Sequence, residues 1–206
     1  MTPFRIRIIS CLFGFSGAAA LIYEVTWSRQ LQFLFGSTEK TISTILAGLF
    51  VGFSLGSYFF RNLAERTHRP LWHLTLLQLG IGVYGLVMPF LITAGLKLFL
   101  LLPDSTWIQL SLCLTLLLIP STLLGGLWPY LGRCCMSDNN KTGVGASMIY
   151  AANSFGSAIG ASLAGFILVP GIGLIRSSIT AGLINIAVAG VFYYMHKKQN
   201  ASHGKA

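Results

Sequence analysis

The sequence predicts an all-α fold: a polytopic membrane protein built from six transmembrane helices. Three observations lead there. The 206 residues are 54% hydrophobic and only 9% charged, with a mean hydropathy of +0.72, whereas soluble domains are about one-quarter charged. Apolar runs recur at a length that suits a bilayer core of about 30 Å, roughly 20 helical residues. The basic residues fall in short stretches between those runs and do not gather on one polar face.

The runs cover roughly 8–33, 41–60, 71–95, 106–131, 145–169 and 175–195. The first follows Arg5 and Arg7, and its Ala18-Ala19-Ala20 imitates a secretory cleavage site. Its apolar character continues to Phe35, too long for a signal peptide, so it reads as a retained first span. Gly36-Ser-Thr-Glu-Lys40 separates it from the second, and Arg61 to Pro70 separates the second from the third. The third is the least sharply bounded, because apolar residues continue past Lys97 to Leu102. The fourth holds Pro120 and Pro129 with Gly125-Gly126 between them, which predicts a bend. A hinge and a static, cavity-shaping bend are both open. Pro170-Gly171-Ile172-Gly173 divides the fifth run from the sixth. The expected organisation is a six-helix transmembrane domain over residues 1–195 and a disordered basic cytoplasmic tail over 196–206.

The formal net charge is +9. With six crossings, Arg5, Arg7, Arg61, Arg66, Arg69, Arg133, Lys141, Lys197, Lys198 and Lys205 share one side, against Arg29, Lys40, Lys97 and Arg176 on the other. The positive-inside bias places both termini in the cytoplasm of a cell (inner) membrane. The same distribution excludes nucleic acid as a partner, since that needs a basic, aromatic-bearing polar face. Cys11, Cys113, Cys134 and Cys135 lack the spacing of a metal site, and no metal or cofactor is expected.

Small residues repeat every four positions in two runs: Gly48, Gly52 and Gly56 in the second, Ala152, Gly156 and Gly160 in the fifth. Such rows let helices approach closely in lipid, and their match hints at a three-plus-three internal repeat. Glu24 lies inside the first apolar run, about 24 Å along it from Ile8 at 1.5 Å per residue. An ionised carboxylate there costs a few kcal/mol unless it is paired or hydrated. Two readings are open. In one, Glu24 is a proton acceptor or cation ligand in a cavity, helped by Tyr23, Trp27, Gln30 and Asn153, with Tyr150 on much the same face as Asn153. In the other, Arg29 or Arg176 neutralises it in a structural salt bridge.

Four segments in order, "SGAAALIYEVTWSRQLQFLFGS", "STILAGLFVGFSLGSYFFRNLAER", "PSTLLGGLWPYLGR" and "VGASMIYAANSFGSAIGASLAGFILVPGIGL", span most of residues 10–175. They resemble the membrane domain of the fused major-facilitator-like/spermidine-synthase-like proteins. The resemblance implies one six-helix half of a major facilitator superfamily transporter, with spans one and four at a central cavity and spans three and six outside. It implies that the small-residue rows of spans two and five face a partner, either a second copy or another membrane protein. Transport of a small cation such as a polyamine is the function it implies. The alternative is a non-transporting anchor for a separately encoded aminopropyltransferase-like enzyme. The family's soluble aminopropyltransferase-like domain has no counterpart here, and no glycine-rich strand-to-helix loop is present. Enzymatic activity of this chain, and therefore any catalytic residue, is not expected.

Overall fold

The computed structural model describes residues 3–99, 106–135 and 142–203. They form α1 (Pro3–Phe35), α2 (Glu39–Arg66), α3 (Pro70–Phe99), α4 (Thr106–Cys135), α5 (Thr142–Leu163) and α6 (Val169–His203), with a π-helical turn at Ala164–Leu168. Among the described residues only 36–38 and 67–69 are outside helices. Gly36 takes a positive φ of 82° to close α1. Thr38 then caps α2, its hydroxyl accepting from the Thr41 N–H at 3.2 Å. Pro70 opens α3, where its missing N–H costs nothing.

Among the described residues, five helical stretches are long and apolar enough to cross a membrane: Arg5–Phe35, Glu39–Arg66, Pro70–Gly95, Leu110–Cys134 and Gly143–Ala201. The last is 59 residues, about 90 Å if straight, three times a bilayer core. It is not straight. At Gly173 the backbone leaves the helical region (φ 82°, ψ 171°), a conformation that glycine adopts without strain. Side-chain register fixes the consequence. α5 runs parallel to α1, since Gly156 packs on Gly14 and Gly160 on Ala18. α6 runs antiparallel to α1, through Trp27 with Ser178, Tyr23 with Asn185 and Phe13 with Phe192. The two limbs therefore run in opposite directions on either side of Gly173. The chain stays helical through Pro170, with the Val169 N–H bonded to Ala164 O just ahead of it. Beyond the last apolar run α6 continues to His203, so residues 196–203 are helical where a disordered tail was expected. No proline or glycine interrupts them, and Asn200 bonds His196 one turn back.

The pairing of helices has an internal symmetry. α2 packs along α4, α1 along α5, and α3 against α6, with α1 also touching α6 and α3 touching α4. Exchanging α1 with α4, α2 with α5 and α3 with α6 maps this set onto itself. Residue contacts obey the same exchange. Gly56 abuts the Thr122 carbonyl and Gly160 the Ala18 carbonyl, two contacts related by a shift of 104 positions in both partners. Gly82 and Gly182 abut each other's carbonyl oxygens, as a pair on the symmetry element must. Inverted repeats of three helices have this form. The small-residue rows are thus used inside the chain, Gly52 against Ser121 and Gly156 against Gly14. This corrects the expectation that they face a partner: a row on α2 or α5 already meets a fitting row on α4 or α1 of the same molecule.

Pro89 lies within α3, and Pro120 and Pro129 lie within α4. Each lacks an N–H, which frees the carbonyl four residues earlier. All three freed oxygens find a hydroxyl on another helix. Ser178 donates to Gly85 O at 2.9 Å, Tyr84 to Leu116 O at 2.8 Å and Ser57 to Gly125 O at 3.1 Å. Gly125 and Gly126 are packing positions, occupied against by the Phe53 backbone and the Phe60 ring. The region expected to be a hinge or bend is therefore pinned to its neighbours from two sides.

Removing the Tyr84 hydroxyl (Tyr84→Phe) should destabilise the protein by about 1 kcal/mol, because a buried carbonyl loses its donor. In a Pro120→Ala background, where the backbone N–H returns, the same change should cost less than half as much; equal costs in both backgrounds refute the pairing. Gly160→Ala should lower the unfolding temperature in detergent, since its Cβ meets the Ala18 backbone. Gly190→Ala faces open space and should be neutral or stabilising by about 0.5–1 kcal/mol.

Candidate functional site

Two helix pairs, α1 with α5 and α2 with α4, leave a cleft of about 500 Å³ between them. From α1 it takes Ser16, Gly17, Tyr23, Glu24 and Trp27, and from α5 it takes Asn153 and Ser157. Phe53, Ser54 and Ser57 of α2 and Ser121, Leu127 and Trp128 of α4 make up the opposite wall. Gly17 packs directly against Asn153, whose side-chain oxygen occupies the space a Cβ at Gly17 would need. The close approach of α1 to α5 thus sets the depth of the cleft at Asn153.

Tyr23 and Trp27 stack with ring centroids 4.6 Å apart, and both are buried. Their polar atoms turn away from the cleft. The Asn185 amide donates to the Tyr23 hydroxyl at 3.3 Å, and Trp27 Nε1 donates to Ser178 Oγ at 2.9 Å. Ser178 is the residue that donates to the carbonyl freed by Pro89. Both rings are therefore fixed from behind the cleft, and at 1% exposure each they offer it almost no accessible surface.

Glu24 is half-buried in the same wall. Among the described residues no basic group lies within 4.0 Å of its carboxylate, and Arg29 and Arg176 are both exposed. The salt-bridge reading of Glu24 is thereby corrected. Arg29, five positions on, projects from another face of α1, and Arg176, three residues past Gly173 near the start of α6, is exposed.

The other residues expected at the site divide. Tyr23, Glu24, Trp27 and Asn153 line one cleft. Gln30 lines a separate groove with Pro89 and Gly173, and Tyr150 is exposed with its ring 6.0 Å from that of Trp128. Sequence reasoning missed Ser54, Ser57, Ser121 and Ser157, which line the cleft, and Gln78 and Asn185, which are fully buried behind it. The two amides carried a usable signal, each being a lone polar group in an apolar run. The serines carried none, because a hydroxyl in a membrane helix usually bonds its own backbone, as Thr26 and Thr75 do.

The chemistry is biased toward acceptors. Ser54, Ser57 and Ser121 each donate their proton to a backbone carbonyl, leaving only lone pairs for an occupant. With Glu24 they make a surface that accepts hydrogen bonds beside aromatic faces, which suits an organic cation carrying N–H groups. Among the described residues no group of three metal-binding side chains exists. No protein-family model, curated protein or solved structure matches the chain.

Because Glu24 has no ionic partner, Glu24→Gln should leave stability within about 0.5 kcal/mol of the parent in thermal unfolding. A loss of about 3 kcal/mol or more would show that the carboxylate was paired.

Proposed function

We propose that the chain crosses the membrane six times and forms one half of a major-facilitator-type transporter, resembling the membrane domain of the fused spermidine-synthase-like proteins. Gly173 separates the fifth crossing from the sixth. Support comes from the opposed directions of α5 and α6 and from the inverted symmetry of the helix pairs. Both ends lie on the electropositive, cytoplasmic side of a cell membrane, in keeping with the basic residues that flank the helices there.

The cleft binds a small organic cation, a polyamine being the fitting class. The observation that carries this reading is the unpaired Glu24 carboxylate beside the Tyr23–Trp27 stack, in a cleft whose serines offer lone pairs. Glu24 supplies the counter-charge, and Asn153 and Ser157 orient the amine. One such half leaves the cleft open along its length, so a second copy or another membrane protein closes the pathway.

Purified protein reconstituted in liposomes should take up labelled spermidine or putrescine. Glu24→Gln should reduce uptake at least tenfold while leaving the unfolding temperature unchanged, and Glu24→Asp should retain part of it. Unchanged uptake in Glu24→Gln overturns the role of the carboxylate. No uptake by the parent protein, together with co-purification of a soluble aminopropyltransferase-like enzyme, would favour an anchoring role.

A further inference from the structure

Aromatic rings line the cleft at unequal depth. Phe13, Tyr23 and Trp27 are buried and Phe53 is partly so, whereas Trp128 of α4 is 40% exposed. Tyr150 of α5, 62% exposed, stands beside it, the ring centroids 6.0 Å apart and the planes inclined at 46°. Neither residue makes a hydrogen bond among the described residues, in contrast to Tyr23 and Trp27. Nor does a cationic side chain among them cover either ring, as Arg61 covers Tyr58 at 6.0 Å. Two uncommitted aromatic faces thus meet where α4 and α5 make little other contact.

The rings and Glu24 stand apart along the cleft. Gly17 abuts the Asn153 and Ser157 side chains, and Glu24 follows it by seven residues, about 10 Å of helix axis. Tyr150 precedes Asn153 by three residues on α5, which runs parallel to α1, and so lies about 5 Å farther in the opposite direction. A carboxylate at one end, free ring faces at the other and amide and hydroxyl acceptors between them fit an elongated molecule that is cationic at both ends. We infer that the cleft, on the cation-binding reading above, selects a linear dication: one ammonium pairs with Glu24 and the second lies against Trp128 and Tyr150. A ring face attracts an ammonium without the desolvation cost of a second carboxylate at membrane depth, and tryptophan is the strongest such face. Trp128 and Tyr150 are thereby specificity-determining residues that set the length of the ligand.

Calorimetric titration of the full chain in mild detergent with two probes tests the assignment: diaminooctane, with an amine at each end, and aminooctanol, with the same chain and one amine. Diaminooctane should bind about tenfold tighter. Trp128→Leu should bring that ratio below about threefold, Tyr150→Leu should lower it less, and Trp128→Phe, which keeps a ring, should retain most of it. Glu24→Gln should weaken both probes, and thermal unfolding of every variant confirms folding. No binding of either probe to the parent protein overturns the cation reading of the cleft and this inference with it. Binding that needs Glu24 but shows no preference for diaminooctane, or a preference that survives in Trp128→Leu and Tyr150→Leu, overturns the inference alone. An equal fall for both probes in Trp128→Leu, with a lower unfolding temperature, also overturns it, by showing an interfacial anchor.

Discussion

A bilayer offers no water to a broken helix, so every proline inside a membrane helix sets a fixed requirement: the carbonyl one turn earlier must find a donor on another element. In this protein that requirement organises the bundle. Pro89, Pro120 and Pro129 release Gly85, Leu116 and Gly125, and the hydroxyls that answer come from α6, α3 and α2 respectively. Each bond joins two different helices, and together they link α2 to α4, α4 to α3 and α3 to α6. Individually such bonds are worth about 0.6 kcal/mol. Their weight lies in register, since sliding a helix by one residue would strand a bare carbonyl in the apolar interior.

Fixed register permits the close approach of backbones. Along α2 and α4, and again along α1 and α5, glycines meet the backbone of the opposing helix with no room for a methyl group. Dispersion between backbones replaces the hydrophobic effect, which is absent where lipid surrounds both surfaces. Contact between the two tight pairs is sparse enough to leave the cleft. Trp27 couples the two devices. Its indole N–H bonds the serine that serves Pro89, while its ring walls the cleft.

Much of this was legible in the residues. Apolar run length pointed to the helical segments: five of the runs each lie within one helix, while 145–169 passes from α5 through the π-helical turn to the first residue of α6. The small-residue rows signalled close packing, and Glu24 with Tyr23, Trp27 and Asn153 marked the cleft. What was not legible depended on which helix lies beside which. A row of glycines states that something approaches, not whether it belongs to the same chain, so Gly52 and Gly156 were assigned to a partner when Ser121 and Gly14 are their neighbours. The prolines announced a bend, but the hydroxyls that immobilise it sit on other helices, up to 93 positions away in sequence. Arg29 is close to Glu24 in sequence yet turned away from it, because five residues of helix amount to well over a full turn.

The unpaired state of Glu24 discriminates between roles. A carboxylate kept for stability would be found with its counter-charge, since breaking a buried pair is costly and forming one needs only a rotamer change of a long side chain. Here Arg29 lies five positions along the same helix and Arg176 opens a neighbouring one, and neither makes an ion pair with it. Facing acyl chains, an ionised Glu24 would cost several kcal/mol, and the inter-helix bonds that fix the register are too weak singly to compensate. Water in the cleft, a proton on the carboxylate, or a bound cation would each remove that cost. All three are mobile species, and a wall whose serine protons are already committed to carbonyls favours whichever of them brings its own donors.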